Sequence, residues 1–478
     1  MDKFYITTTL PYVNSDPHIG FAMEIVRADV LARMNRLLGK EVWFNTGTDE
    51  HGQKIYQKAT EKGISPKEYC DNLAERFKQL KTDLDLSWDS FIRTTDERHK
   101  NAAQDFWQKC FESGDIYKKN YSVKYCVGCE LEKTDSDLVE GKCPDHPNVE
   151  LETREEENYF FKFSNYQEKL LDLYRNNPNL VSPDFRMKEI TNFVEGGLND
   201  FSISRLKSKM PWGVEVPNDP EHVMYVWFDA LVNYISVLGW PDSSNVKEWW
   251  PGVQVCGKDN LRQQTAMWQA MLMSAGVENS KKIFVNGFIL SGGQKMSKSL
   301  GNVIDPLEWV KKYGTEPVRY FLLSSLSSFE DSDVTEEKFK EVYTSDLVNG
   351  LGNLAARVAT LCEKHPEFRY DTEQDTSRLK DQVFFELGNY RFDTATQLIM
   401  GTVRGTDNYL SSERPWLKDL NEESQRLSNH VILDTCVNNL IQIGKSLEPI
   451  LPETSKKILD QFTSERILKS DHLFSRIK

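Results

Sequence analysis

Residues 4–25, FYITTTLPYVNSDPHIGFAMEI, constrain the fold more tightly than any other stretch of this chain. A β-rich run at 4–9 stops at Leu10-Pro11, a loop punctuated by Asn14, Asp16 and Pro17 follows, and a helical period begins near Ile19. Ala22, Val26, Arg33 and Leu37 share one face of that helix, and Met23, Val30, Met34 and Leu38 lie beside it, so the segment reads as a long, mostly apolar helix. His18 and Gly20 then stand where a strand hands over to a helix N-terminus. Unpaired N–H groups and the helix dipole favour a phosphate there. Gly20 would let such a ligand approach the backbone, and His18 could donate to a phosphoryl oxygen. Taken alone, the turn reads equally well as a tight βα connection with a surface histidine.

A second signal lies far downstream, where Lys295-Met296-Ser297-Lys298-Ser299 follows a Gly-rich segment at 291–294. Two lysines bracketing small polar residues suit a mobile clamp on a polyphosphate, although a Lys/Ser run by itself is commonly a solvated loop. Together, and in this order, the two motifs resemble the HIGH and KMSKS signatures of class I aminoacyl-tRNA synthetases. The stretches LPYVNSDPHIG, TGTDEHG, SISR…PWGVEVP and YVWFDALVNY are similar to the methionyl-tRNA synthetases of that family along nearly the whole chain.

Composition narrows the class without naming it. A length of 478 residues suggests about three domains. The net charge of −14 argues against sequence-blind nucleic-acid binding but leaves room for a reader with local basic tracks. No basic-then-apolar leader opens the sequence, and no apolar run is long enough to span a bilayer. Cys70, Cys110, Cys256, Cys362 and Cys436 are scattered singly and read as buried thiols of a reducing compartment. The expected location is cytoplasmic.

Residues 41–45 read as a second strand ending in Thr46-Gly47-Thr48-Asp49-Glu50-His51-Gly52, a polar cluster where an open α/β sheet binds its ligand. Helical text fills 53–86 and 95–113. Residues 117–154 break the rhythm with turn-rich text holding Cys126-Val127-Gly128-Cys129 and Cys143-Pro144-Asp145-His146. Two such pairs place four soft ligands, Cys126, Cys129, Cys143 and His146, around one tetrahedral ion, which suits a closed structural Zn²⁺ site. The alternative, disulfides, needs an oxidising compartment. Residues 159–176 read as helix and 183–197 as linker. Strands are expected at 223–228, running into a helix at 229–238, at 253–256 before Gly257-Lys258-Asp259, and at 282–288, with a helix at 261–275. Beyond 333 the text is helical: 336–364, 377–388, 393–411, 422–446 and 452–462.

The expected architecture is therefore α/β, a split doubly wound, Rossmann-like catalytic domain interrupted by a zinc-knuckle connective insertion and followed by an α-helical bundle. The boundaries read as 1–116 and 213–334 for the two catalytic halves, 117–212 for the insertion and 335–478 for the bundle. The insertion is too short for the large editing domain of the related leucyl, isoleucyl and valyl enzymes. The resemblance implies ATP-dependent activation of L-methionine to methionyl-adenylate, then transfer to the terminal ribose of tRNA(Met), initiator included, with Mg²⁺ accompanying ATP. It makes Lys295 and Lys298 mobile cations, His18 the fixed donor, and Arg205 a further cation near the phosphates; Gly20, Gly257 and Asp259 would complete the ATP site. It places the methionine pocket on Leu10, Tyr12, Asp49, Trp227, Ala230 and Tyr234, with Gln264 beside them. An aromatic, polarisable wall suits a thioether, and a buried carboxylate suits the substrate ammonium. In the bundle it assigns Asn353, Arg357 and Trp416 to the CAU anticodon, as planar groups able to stack on and hydrogen-bond to unpaired bases.

Three positions depart from the family's commoner pattern: Phe21, Gln264 and Asn286 stand where histidines are usual. The expectation is a correlated repacking in which Gln264 keeps one polar contact. The missing tRNA-binding extension after Lys478 points to a monomer. A leucine- or cysteine-specific relative and a non-catalytic tRNA-binding paralogue are the competing readings. The short insertion and the closed metal set argue against the first pair, and retention of His18, Lys295 and Lys298 argues against the last.

Overall fold

The computed structural model describes residues 2–129, 131–133, 138–296, 303–365, 367–370, 376–418 and 421–477. A six-stranded sheet carries the fold. β1 (Lys3–Thr8) lies between β2 (Glu41–Thr48) and the strand Val253–Gly257. β3 (Ser90–Arg93) flanks β2, and Lys282–Asn286 and Val181–Ser182 complete the far side. Every pairing is parallel. Chain order reverses between β1 and Val253–Gly257, so the expected doubly wound fold is present, with its switch point and ligand crevice beyond the carboxyl ends of those two strands. Strand residues alternate between two apolar layers, as the period of two requires. Ile6, Val255 and Phe284 enter the layer that merges with the C-terminal helices, while Tyr5, Cys256, Ile283 and Val285 enter the opposite one.

The helix α1 (Ile19–Leu37) connects β1 to β2 and has fourteen of its nineteen residues buried. It packs on the sheet on one side and on helices Thr315–Ser324 and Arg378–Gly388 on the other, so even its polar residues are enclosed. Asp29 Oδ2 accepts from Arg33 Nε and from Arg319 Nη2, each at 2.8 Å. Asp29 Oδ1 accepts from the amide and hydroxyl of Ser87, each at 2.6 Å. Burial opposes this carboxylate, but Arg319 and Arg33 hold its pKa below the ordinary range. Arg319 also donates to the carbonyls of Leu84 and Asp85 and of Pro449 and Ile450, joining the sheet unit to the turn between the helices Glu423–Leu447 and Pro452–Phe462.

Several local expectations are corrected. The helical text at 53–86 is two helices, Gln53–Glu61 and Pro66–Asp83, because Ser65 caps the second through Glu68 N and Pro66 opens it. The turn-rich reading of 117–154 gives way to a long antiparallel hairpin, Ile116–Cys126 with Glu152–Phe161, in continuous register from Ile116↔Phe161 to Tyr125↔Glu152. Its strands carry charge where alternating apolar residues would have announced them. The linker at 183–197 is the helix Asp184–Glu195, which buries Met187, Ile190 and Val194 along one face. The strand expected at 223–228 ends at Met224, so Trp227 lies on the helix Val226–Leu231. The expected helix at 336–364 contains a π-helical segment, Tyr343–Gly352. Among the described residues no helix is long and apolar enough to cross a membrane.

Removing one partner of a buried ion pair strands the other, and typically costs about 3–5 kcal/mol. Asp29→Ala is therefore expected to lower stability by roughly that amount, read as a fall in the urea midpoint. Arg33→Ala, at a partly solvated partner, should shift it much less.

Candidate active site

A cavity of about 550 Å³ opens at the switch point. Its walls are the loop after β1, the N-terminus of α1, the helix Val226–Leu231 and the turn after Val253–Gly257. The first of these is stitched by backbone to a further wall, the turn after β2. Asp49 N donates to Pro11 O and Val13 N to Asp49 O, each at 3.0 Å, which aligns Tyr12 with Asp49 beside the cavity. Leu10, Tyr12, Asp49, Trp227, Ala230, Tyr234 and Gln264, gathered from four separate stretches, all line this one space, as do His18, Gly20, Gly257 and Asp259.

His18 is the N-cap of α1, its Nδ1 accepting from Gly20 N at 3.2 Å. In the neutral ring the proton then belongs on Nε2, making that atom the donor. A Cβ at residue 20 would come within 3.1 Å of the imidazole, and one at residue 257 within 2.7 Å of an Asp259 carboxylate oxygen. Both glycines therefore leave room for a polar side chain beside the ligand space.

The three positions where histidine was expected each find separate partners within the protein. Gln264 is fully buried on a π-helical turn, Gln263–Met267. It donates through Nε2 to the Tyr234 hydroxyl at 2.6 Å and accepts through Oε1 from Gln254 at 3.0 Å. The polar contact expected of Gln264 is thus the one that fixes Tyr234. Asn286 Oδ1 accepts from Arg27 Nη1 at 2.7 Å, and its Nδ2 donates to Cys256 O at 3.1 Å. Phe21 packs edge-on against Phe77 at 5.6 Å, and both rings line the cavity.

Cys126, Cys129, Cys143 and His146 converge, their ligand atoms all within 4.8 Å of one another, so the cluster could hold a metal ion. Cys129 Sγ is 3.3 Å from Cys143 Sγ and 3.2 Å from His146 Nδ1. Donors about 2.0–2.3 Å from a tetrahedral ion would stand roughly 3.5 Å apart, so the set fits one ion with no position left open. Gly128 cannot carry a side chain here, since a Cβ would lie 2.4 Å from the His146 ring. Cys129, Asp145 and His146 also line the cavity, and Lys54 Nζ donates to Gly128 O from the facing wall. The metal knuckle is part of the cavity's enclosure, a relation that linear spacing did not reveal.

Other expected residues are not drawn to the cavity. Arg205 is buried between Tyr225 and Tyr125, 4.4 and 5.6 Å from their rings, and donates to Ser202 Oγ and Ser204 O. It is not among the lining residues. Lys298 and the side chain of Lys295 lie outside the described residues. The backbone of Lys295 pairs with Leu290 across a hairpin turned by Gly292 and Gly293, both in the left-handed region, and Met296 lines the cavity. On the helical surface Arg357 lies 5.7 Å from the half-exposed Trp416 ring and bonds to Asp407 and to Ser411, while Asn353 is exposed one turn earlier.

Glu24 is the residue that sequence reasoning missed. It sits one helical turn beyond Gly20 in the cavity wall and accepts from Thr9 N at 2.9 Å through Oε1. Burial pushes its pKa from 4.5 up to about 8, which the Thr9 amide only partly offsets. A carboxyl one helical turn beyond the glycine of the turn, among Ala22, Met23, Ile25 and Val26, was the available signal. Protonated Glu24 suits the folded state, so its contribution is complete below the ordinary carboxyl pKa and is lost as pH rises through about 8. Glu24→Gln should therefore melt close to wild type at pH 5 and gain on it by roughly 2–4 kcal/mol at pH 8.5. Paired thermal melts at the two pH values check this.

The comparisons agree with the geometry. The family described as "tRNA synthetases class I (M)" matches residues 4–150 and 147–359. The chain is 40% identical to the methionine–tRNA ligase of Thermotoga maritima, covering 98% of this chain and 77% of that protein. It is 39% identical to that of Rhizobium meliloti, over 96% and 91%. Mycobacterium tuberculosis methionyl-tRNA synthetase in complex with methionyl-adenylate superposes with a TM-score of 0.91 at 34% identity, over 99% of this chain and 98% of that one. Its apo form gives 0.84 at 30% identity, over 100% and 99%. With this coverage and the cavity at the switch point, the chain belongs to the class I tRNA synthetases and, within them, to the methionine–tRNA ligase family.

Proposed function

We propose that this protein activates L-methionine with ATP and transfers the methionyl group to the 3′-terminal adenosine of tRNA(Met), initiator tRNA included. The observation that carries this reading is the convergence of Leu10, Tyr12, Asp49, Trp227, Ala230 and Tyr234 with His18, Gly20, Gly257 and Asp259 on one cavity. The methionyl-adenylate bound by the Mycobacterium tuberculosis relative supplies the chemistry. The methionine carboxylate attacks the α-phosphorus of ATP and pyrophosphate leaves; the terminal 2′-hydroxyl then attacks the adenylate carbonyl and AMP leaves. No covalent enzyme intermediate is needed, so catalysis is orientation plus compensation of phosphate charge.

Asp49 receives the substrate ammonium. Trp227, Tyr12 and Tyr234 wall the thioether, and Leu10 and Ala230 limit its reach. Gln264 acts through Tyr234, whose hydroxyl it holds. His18 donates from Nε2 to a phosphoryl oxygen, and Asp259 faces the ribose. Lys295 and Lys298 close on the leaving pyrophosphate, and Mg²⁺ enters with ATP. Arg205 serves this site only from behind, through the Tyr225 and Tyr125 rings that enclose it. The Cys₃His cluster holds a structural Zn²⁺ that keeps the knuckle folded. Asn353, Arg357 and Trp416 read the CAU anticodon, with Trp416 stacking and Arg357 held ready by Asp407. Eight unpaired cysteines suit the reducing cytoplasm.

Amino-acid-dependent ATP–pyrophosphate exchange across the twenty amino acids tests the reading. Exchange is expected with methionine alone, and Lys298→Ala should lose on the order of 10²–10³-fold in rate. Exchange with another amino acid, or with none from folded protein, would overturn it. Trp416→Ala should leave methionine-dependent exchange unchanged while raising the KM for tRNA(Met) in aminoacylation about 5- to 100-fold, the range of one lost base stack.

A further inference from the structure

Behind the amino-acid end of the cavity lies a polar cluster that the chemistry above does not use. Asp229 stands between Phe228 and Ala230 on the helix Val226–Leu231, and its side chain is fully buried. Its Oδ2 meets His51 Nδ1 at 2.6 Å and its Oδ1 meets His99 Nε2 at 2.8 Å. His99, on the helix Glu97–Glu112, reaches Ser236 Oγ through Nδ1 at 2.9 Å. Each carboxylate oxygen therefore has one imidazole, and burial is outweighed by His51 and His99, which hold the pKa at about 2. Trp227 and Ala230, three apart, face the cavity, whereas Asp229 points away from it into the protein. His51 follows Asp49 by two residues, on the loop whose backbone is stitched to Pro11 and Val13. That loop is held again by Trp212, which donates from Nε1 to Glu50 O at 2.6 Å and accepts at its carbonyl from Gly52 N.

We propose that His51, Asp229 and His99 form a positioning brace that sets the separation between the Tyr12–Asp49 wall and the Trp227–Ala230 wall, and thereby the length of side chain the pocket accepts. The inference rests on the methionine-activating reading of this cavity. One wall hangs on His51 and the other on Asp229, so a change of a few tenths of an ångström between them alters the space around an unbranched side chain. Pockets of this kind discriminate single methylenes only through such fit. The brace touches neither substrate nor reacting atoms, and it lies at the amino-acid end rather than the nucleotide end, so its loss should fall on methionine and not on ATP.

The test is pyrophosphate exchange with methionine, ethionine and norleucine on wild type, Asp229→Asn and His51→Gln. Asp219→Asn is the matched control, a carboxylate that accepts from His222, Tyr159 and Lys118 and does not line the cavity. The brace predicts a methionine KM at least tenfold higher in both brace variants with the ATP KM within twofold. It also predicts a methionine-to-ethionine preference in kcat/KM at least fivefold lower. Variants that melt lower, as Asp219→Asn does, yet keep the methionine KM and the preference would make the cluster merely structural and overturn the inference. Should Asp229→Asn fail to fold, Ser236→Ala, which withdraws the outer hydrogen bond to His99 and a long one to Asn233 O, is read instead. A two- to fivefold shift in the same direction supports the brace and no shift overturns it. A wild type inactive with methionine would instead overturn the functional reading, and the brace with it.

Discussion

The cavity depends on α1 having no face in water. A helix between a parallel sheet and a helical layer must bury whatever polar residues it carries, and each buried charge must find partners or be expelled. Asp29 and Arg27 sit two apart on this helix and solve that problem toward opposite neighbours. Asp29 takes Arg319 and Arg33. Arg27 donates to Asn286 and to the carbonyls of Leu326, Ser327 and Ser328. Burial lowers the Arg27 pKa to about 9, and the nearby Asp393 carboxylate opposes that fall. These contacts fix the position of α1 along its own axis, and therefore of His18 and Gly20 at its start. A helix held only by apolar packing could slide by a fraction of a turn with little penalty; one held by directional bonds at both polar sites cannot.

The same network satisfies the side chains at the positions where the family resemblance led histidine to be expected. Asn286 is shorter than histidine but offers both an acceptor and a donor, and Arg27 and Cys256 O take one each. Gln264 substitutes an amide that spans Gln254 and the Tyr234 hydroxyl. Phe21 gives up polarity altogether and packs on Phe77. Two of the positions are thus polar links inside the wall, and the third is apolar filling beside the ligand space. Both polar side chains are satisfied within the protein, as buried polar groups must be.

What the sequence disclosed was the part of the fold written in local chemistry. The strand–loop–helix at 4–25, the polar cluster after β2 and the Gly257-Lys258-Asp259 turn each announce a strand's carboxyl end, and all three meet at the cavity. The metal set was legible because ligand spacing is local. The hairpin Ile116–Cys126 with Glu152–Phe161 was hidden because its pairing is long-range and its second strand, ETREEENYFF, carries no alternation. The helix Asp184–Glu195 did carry an apolar face, masked by its flanking Pro183 and by Gly196-Gly197. Arg205 had no such local signal of its surroundings: two tyrosine rings and two oxygens neighbour its guanidinium, and it is not among the residues lining the cavity.

The segment that leaves the sheet for the C-terminal helices does more than connect them. Ser328 bonds to Asp393 at the start of the helix Phe392–Glu413, while its carbonyl accepts from Arg27. Three residues later Asp331 accepts from Phe288 N and from Lys258, which neighbours Asp259 in the cavity wall. The Lys258 partner offsets burial and holds this carboxyl below its ordinary range. Ser332–Asp333 then pairs in parallel with Ile289–Ser291, and Asp333 accepts from Gly293 N at the hairpin turn before the lysine motif. A few consecutive residues therefore hold the helical layer, α1, the turn beside Asp259 and the hairpin leading to Lys295. Because these bonds share one stretch of backbone, displacement of the helical layer must strain either the Arg27 anchor or the hairpin. The hairpin that ends at Lys295 is thus tied to the start of the helix Phe392–Glu413, whose Asp407 bonds to Arg357.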